Sequence, residues 1–345
     1  MDISVFPSVF ETTRSELNGV SNDLLNGLKI EFNEESYIVG DLALKEGISP
    51  HRLINCAPGE LDFDVLFRAA LLLAQEQAGN DFAITLGFPF EMYQLHNSTA
   101  KQRLTKSYDI LYDGSTFSVN GNSGRQAATI NLQNVDVIPE VAGGVIALRY
   151  GEVAEDEDFF ILSLGYGSME GVVSTQNGII RRTATSARGI RYAINMLKEE
   201  LQKDYYLNFK TEHQLNVAFQ NGKININKRT VDLTALRRKV LKSYFENILR
   251  PALANAFQDT DFETCSKLYL VGGGAYFSEL TNQISKEFEG ILNVEIPDEP
   301  EKMAVKGYSI NTAKQASDGA SVGIDMGNAN TLVAVMNQEG QVENS

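Results

Sequence analysis

The sequence predicts an α/β protein of two domains, and three observations carry that expectation. Short apolar runs alternate with stretches of helical periodicity through the first half of the chain. Two pairs of strand-like runs flank turns of small residues, Gly165-Tyr166-Gly167-Ser168 and Asp325 to Asn330. A strand-like run ends in a triple glycine, Gly272-Gly273-Gly274, with a helical pattern after it. At 345 residues the chain is long enough for two domains, each with its own core.

In chain order, Ile3 to Phe10 reads as a strand interrupted by Pro7, followed by strands at Leu28 to Phe32 and Tyr37 to Val39. From Asp64 to Gln77 the positions Val65, Leu66, Ala69, Leu72 and Leu73 recur at helical spacing, which predicts a core-facing helix. The nearly continuous apolar run Phe82 to Phe90 ends in Gly-Phe-Pro, as a buried parallel strand ends at a loop. A strand-turn-strand segment around Tyr112 to Val119 leads into Asn134 to Pro139. The acidic run Glu155 to Asp158 predicts a solvated turn between the halves.

The second half opens with a strand over Phe159 to Leu164 that enters the first small-residue turn, with further strands at Gly171 to Ser174 and Ile179-Ile180. Helices are expected from Ser186 to Leu201 and through Leu236, Val240, Tyr244, Ile248 and Leu249, with a polar stretch at Asn221 to Arg229 between them. Pro251 should kink or end the second helix. Lys267 to Ile284 reads as strand, triple glycine, helix. Val322 to Ile324 and Leu332 to Val335 form the closing hairpin.

Composition narrows the function classes. The 30 basic and 45 acidic residues give a formal charge of −15, which argues against broad binding to nucleic acid or acidic membranes. The start, Met1-Asp2-Ile3-Ser4, has no basic or apolar leader pattern and no stretch approaches a membrane span, so the expected location is the cytoplasm. Cys56 and Cys265 show no CxxC spacing and read as buried thiols; His51, His96 and His213 form no metal or catalytic pattern.

Each motif has a functional and a plain structural reading. Small residues at Gly327 and Asn328 let backbone N–H groups approach phosphate oxygens, and Asp325 can hold a hydrated cation, but an ordinary Gly-Asn hairpin has the same appearance. A triple glycine admits a flat or anionic ligand, or simply makes a tight β–α turn.

Taken together, the motifs resemble the actin superfamily of nucleotide-binding proteins across nearly the whole chain. Gly323 to Thr331 is similar to the first phosphate loop, with an Ala-Asn-Thr ending like that of MreB-type actins. Leu162 to Glu170 is similar to the second phosphate loop, and Leu270 to Ala275 to the adenosine motif. Val137 to Gly143 resembles the Pro-Glu segment of ParM-like actins, and Phe6 to Phe10 and Tyr37 to Ala43 resemble segments that follow the first hairpin. In that family the first phosphate loop opens the protein; here it closes it. The resemblance therefore implies a circular permutation cut between strands two and three, with the small polar residues Asn311 to Ser321 as the joint.

The resemblance implies two ribonuclease-H-like domains, residues 1–150 plus 300–345 and residues 151–299, around a nucleotide cleft. ATP, with GTP also allowed, would bind with Mg²⁺. Asp325 would act on the metal through water, and Gly327, Asn328, Ala329 and Asn330 would line the phosphates, faced by Gly165, Tyr166, Gly167 and Ser168. Gly272, Gly273 and Gly274 would lie beside the adenosine; Phe277 would cover the base or belong to the core. Glu140 matches the carboxylate that orients the attacking water, although an acid after Pro139 also suits a helix N-terminus. Ser163 departs from the family, which usually carries Asp there to hold metal-bound water; the change should weaken metal affinity and hydrolysis more than nucleotide binding.

The implied function is a cytoskeletal protein that polymerises with ATP into filaments of its own copies, with an adaptor protein as a further partner. The alternatives are a small-molecule kinase of the same superfamily, for which no substrate-pocket signature is visible, and a nucleotide-binding scaffold with little hydrolysis. The chain has no room for the substrate-binding domain of a heat-shock chaperone.

Overall fold

Ser8 divides the expected opening strand in two, because Pro7 has no N–H to offer a ladder and the Ser8 hydroxyl is drawn to Gly327. The result is β1 (Asp2–Pro7) and β2 (Val9–Thr12). The computed structural model describes residues 1–52, 57–117, 124–206, 212–315 and 319–337. Cys56 and the expected strand residues Ser118 and Val119 lie outside them.

β3 (Lys29–Phe32) and β4 (Glu35–Val39) form a hairpin whose turn residues Asn33 and Glu34 both have positive φ, the turn that matches strand twist. After α1 (Asp41–Glu46) and β5 (His51–Arg52), α2 (Leu61–Ala78) buries Val65 to Phe67 and Ala69 to Ala74, with half-buried Arg68 between them. Its middle is therefore enclosed on nearly all sides, while Leu61 at one end and Glu76 and Gln77 at the other are exposed. β6 (Asp81–Phe88) is the expected buried parallel strand; it stops at Pro89, and Phe90 already starts α3 (Phe90–Leu104). β7 (Ser107–Asp113) and the fifteen-residue β8 (Arg125–Pro139) follow, with Gly114–Thr116 forming a tight 3-10 turn.

Next come α4 (Glu140–Tyr150), β9 (Phe159–Leu164), β10 (Ser168–Thr175) and β11 (Gly178–Arg188). β11 runs through the residues expected to start a helix at Ser186, since they pair with β10, and α5 (Arg191–Asp204) begins later. After α6 (Glu212–Asn221), the polar stretch folds as the hairpin β12 (Lys223–Ile226) and β13 (Arg229–Asp232), turning at Asn227 and Lys228 with positive φ. α7 (Thr234–Tyr244) passes into a π-helical turn, Phe245–Leu249, and then α8 (Arg250–Ala256). The wide turn accommodates Pro251, which lacks a donor and crowds the preceding turn, so the helix continues instead of ending. α9 (Asp259–Thr264), β14 (Lys267–Val271), α10 (Ser278–Glu287) and β15 (Asn293–Glu295) follow, and α11 (Met303–Gln315) leads to β16 (Ser321–Met326) and β17 (Asn330–Met336).

The chain divides into two compact units, Met1–Pro139 with Val305–Ser345, and Glu140–Ala304. The divisions fall at Pro139/Glu140 and Ala304/Val305, not at the acidic run. In the first unit one sheet takes the order β1-β17-β16-β6-β8-β7-β3-β4-β2-β5. β16, β17 and β1 form a continuous antiparallel meander, with Ile3 opposite Ala334 and Val5 opposite Leu332, so the expected pairing of the chain's opening strand with its closing one is present. The second unit has the sheet β11-β10-β9-β14-β15, with β9 and β14 parallel. Each unit has its own apolar core, one centred on Phe6, Phe67, Ile84 and Ile324, the other on Phe160, Leu162, Leu197 and Leu270.

Two expectations are corrected. Glu155 is not in a solvated turn: it is 6% exposed and accepts hydrogen bonds from Lys267 Nζ at 2.7 Å, Tyr269 Oη at 2.6 Å and the Glu157 amide at 2.9 Å. Asn311 and Thr312, the first residues of the expected joint, are helical rather than part of a connecting loop. Both lie on α11, where Asn311 donates to Asp136 and Thr312 to Val322 O.

Candidate functional site

The closing hairpin turns through Gly327, Asn328 and Ala329, between Met326 and Asn330. Its carbonyl oxygens are all engaged. Ser8 Oγ donates to Gly327 O at 2.6 Å, Arg52 Nη1 to Asn328 O at 2.9 Å and the Ser8 amide to Ala329 O at 3.0 Å. Asp325 lies in β16 opposite Leu332, and burial pushes its carboxyl up to about 7. A side chain on Gly327 would meet Asn330 O at 2.9 Å, so glycine there is a steric requirement.

The turn of the second unit, Gly165-Tyr166-Gly167, is held in the same sense by different atoms. The amides of Ile190, Arg191 and Gly189 donate to Gly165 O at 3.1 Å, Tyr166 O at 2.9 Å and Gly167 O at 3.0 Å. Gly189 is essential to that approach: a Cβ there would stand 2.5 Å from Gly165 O and 2.6 Å from Tyr166 O. Ser168 begins β10 directly after the turn.

Glu140 is the first residue of α4, and its Oε1 stands 3.5 Å from Ser163 Oγ, at the outer limit of a hydrogen bond. The same oxygen is 3.6 Å from where a Gly165 side chain would begin, so the acid borders the second turn. Ser163 is 5% exposed on β9 and pairs directly with Glu170 on β10, which is 1% exposed. Glu170 Oε2 accepts from the Val141 amide at 3.2 Å, fixing the first turn of α4 and with it the placement of Glu140. Sequence reasoning singled out Glu140 and Ser163 but not Glu170, whose part depends on strand pairing.

The triple glycine separates into two kinds of position. Gly272, at φ +83°, and Gly274 press against the backbone of Leu164, where a Cβ would meet atoms at 2.9 Å and 2.8 Å, so packing accounts for both. A Cβ on Gly273 would meet nothing within 4 Å, leaving open space at that one position. The expected helix does not follow at once: Gly273–Tyr276 is a 3-10 turn before α10. Phe277 is 7% exposed and packs edge-on to Phe219 at 5.1 Å, which assigns it to the core rather than to a covering role. Its neighbour Tyr276 is 61% exposed and donates to Glu301. Cys265 is a buried free thiol, as expected.

Among the described residues no group of three or more His, Cys, Asp or Glu side chains could hold a metal ion. A divalent ion in a phosphate site takes most of its ligands from phosphate and water, so a single carboxylate such as Asp325 fits that demand. No helix among the described residues is long and apolar enough to cross a membrane.

Residues 2–143 match the family of actin-like protein N-terminal domains. The archaeal actin homologue Ta0583 superposes with a TM-score of 0.69 at 15% identity, covering 90% of this chain and 92% of that one. The chain has the actin-like fold. Ta0583 in complex with ADP gives a TM-score of 0.68 at 15% identity, over 90% of this chain and 92% of that one. A subunit of a 15-stranded ParM filament from Clostridium botulinum gives 0.67 at 18% identity, over 90% and 93%. No curated protein is significantly similar to this actin-like chain in sequence.

Proposed function

We propose that this actin-like protein binds a nucleoside triphosphate with Mg²⁺ and assembles into cytoplasmic filaments of its own copies. One observation carries the reading: each unit presents a small-residue hairpin turn whose three carbonyl oxygens are tied to one side. In a planar trans peptide the N–H points away from the C=O, so both turns direct their amides to the opposite side, as an anion site requires. The ADP complex of Ta0583 and the ParM filament are properties of those proteins, and they support the same reading by likeness of fold.

In this reading the two units are the actin-like domains. Gly165, Tyr166, Gly167 and Ser168 in one, and Gly327, Asn328, Ala329 and Asn330 in the other, make up the phosphate-binding turns, and Gly273 leaves room for the nucleoside. ATP is the first choice and GTP the second. Mg²⁺ would be held through water by Asp325 and Ser163, and when bound would neutralise charge on the phosphates. Glu140 orients the water that attacks the terminal phosphate. The chain order is that of a circularly permuted actin: the meander β16-β17-β1 supports it, because its second and third strands are adjacent in the sheet and at opposite ends of the sequence.

Ser163 favours a second reading, a nucleotide-bound filament or scaffold with little hydrolysis, since a hydroxyl brings no charge to the metal-bound water. Sedimentation and negative-stain microscopy with ATP, ADP and a nonhydrolysable analogue decide between them. Filaments with phosphate release support the first reading and filaments without it the second. A monomer under every condition overturns the first reading, and one that also binds no nucleotide overturns both. In the first case Glu140→Gln should lower phosphate release by about a hundredfold while leaving assembly intact.

A further inference from the structure

Ser8, inside the segment Phe6 to Phe10, and Arg52, outside every motif, are given no role by the sequence, yet among the described residues they supply the three hydrogen bonds to the carbonyls of the closing hairpin's turn. Ser8 is fully buried. Its single hydroxyl proton goes to Gly327 O, so Thr331 Oγ1, 2.9 Å away, is the donor to Ser8 Oγ. That second bond fixes the rotamer of Ser8 and ties it to the first residues of β17. β2 pairs with β5 through Val9 and Arg52, which places Ser8 and Arg52 side by side on one flank of the turn.

All described peptides are trans. Holding the carbonyls of Gly327, Asn328 and Ala329 on the Ser8 flank therefore turns the next three amides, those of Asn328, Ala329 and Asn330, to the other flank. Successive N–H groups displayed on one side of a turn form a concave anion site. Of the four residues that the resemblance implies, Gly327 is thus not among the oriented donors: its amide shares its peptide with Met326 O, not with any of the three carbonyls held by Ser8 and Arg52.

We propose that Ser8 and Arg52 are positioning residues for phosphate, which hold the turn so that the amides of Asn328, Ala329 and Asn330 face the phosphate oxygens of a bound nucleotide. This rests on the nucleotide reading above. The two residues do not touch the ligand; they act by orienting peptide planes. Arg52 brings a charged donor, whose bond to a carbonyl is stronger than a neutral one and makes the Asn328 peptide the firmest of the three. In a chain whose opening strand lies against its closing hairpin, this contact also carries the ordering that a covalent link between β17 and β1 would otherwise give.

The test is calorimetric titration of ATP, ADP and adenosine, with Mg²⁺, into the wild type, Ser8→Ala and Arg52→Gln. ATP and ADP affinity should fall about tenfold in each variant, the loss of one oriented hydrogen-bond set, while adenosine affinity stays the same. With saturating ATP, hydrogen exchange at residues 328–330 should be faster in both variants than in the wild type with exchange in β6 unchanged, which separates a loosened turn from a misfolded protein. Equal losses for ATP and adenosine, or variants that bind ATP as the wild type does, would overturn the positioning role alone. A wild type that binds neither ATP nor ADP overturns the nucleotide reading, and this inference with it.

Discussion

The turn of the second unit is held by three consecutive backbone amides, those of Gly189, Ile190 and Arg191, whereas the turn of the first unit is held largely by two side chains, Ser8 and Arg52. Both arrangements fix three carbonyls and turn three amides outward. They differ in what they demand of the sequence. Backbone donors accept any side chain but need the two backbones in contact, which makes Gly189 indispensable. Side-chain donors span a longer gap, and so can tie together residues from opposite ends of the chain. The first unit's hairpin has that need, because β1 and β17 are neighbours in the sheet without being neighbours in sequence.

The largest effect should therefore come from closing the gap in the second unit. In Gly189→Ala the added Cβ would meet Gly165 O, Tyr166 O and the Ser168 amide within 2.7 Å, all backbone atoms that cannot rotate away. Unfolding by denaturant should show a loss of about 3 kcal/mol, accompanied by loss of ATP binding. A variant as stable as the wild type would mean that the turn is held elsewhere.

The strand that leads into that turn depends on Glu155, and this part of the comparison is open to pH. Burial pushes the Glu155 carboxyl up, but hydrogen bonds from Lys267, Tyr269 and the Glu157 amide outweigh it and hold the group at about 2, below its ordinary 4.5. A group depressed in the folded state adds stability above its unfolded pKa and loses it as pH falls through the folded one. Wild type should exceed Glu155→Gln by about 2 kcal/mol near neutral pH, allowing for the partial solvation of Lys267. The gap should narrow from about pH 4.5 downward and close near pH 2. A gap that stays constant to pH 3 would show that the stabilisation is not ionic.

The two turns were legible to different degrees for the same reason. Glycines at 165, 167 and 327 and the apolar runs beside them mark both hairpins locally, and the strands of β6, β9 and β16 follow from continuous apolar stretches. The atoms that hold the turns are remote: Ser8 is 319 positions from Gly327, and no local pattern connects them. Gly189 was hidden in a stretch read as helix, since Thr183 to Arg188 alternates too weakly to signal a strand. α3 escaped notice because it buries only Ala100 and Leu104, too few apolar positions to set a period. Glu155 looked like one acid among four; its burial depends on Lys267 and Tyr269, more than a hundred residues later.

Ser163 marks a third asymmetry, because the strand entering the second turn carries a hydroxyl where the strand entering the first carries the Asp325 carboxylate. Ser163→Asp should raise phosphate release about fivefold in the presence of Mg²⁺, by adding a charged ligand for metal-bound water. Without nucleotide it should cost about 1 kcal/mol, since Glu170 lies directly opposite and Glu140 is 3.5 Å from the present hydroxyl. Unfolding and phosphate release measured together test both halves; unchanged or lower release with intact folding would remove the metal role of this position.

The smallest effect is the sharpest test of how the second turn is held. Arg191 gives its amide to Tyr166 O and its guanidinium to Glu212, with bonds of 3.1 Å and 2.8 Å, both groups about a third exposed. Arg191→Ala removes the ion pair and the guanidinium's interaction with the Tyr166 hydroxyl, and keeps the amide. A solvated pair of this kind contributes less than about 1 kcal/mol, so stability should change little and ATP affinity should stay within about twofold. Arg52→Gln is its counterpart in the first unit, where the guanidinium itself holds the turn. If Arg191→Ala weakened ATP binding as much as Arg52→Gln, the backbone amides would not be sufficient, and the two turns would be held alike.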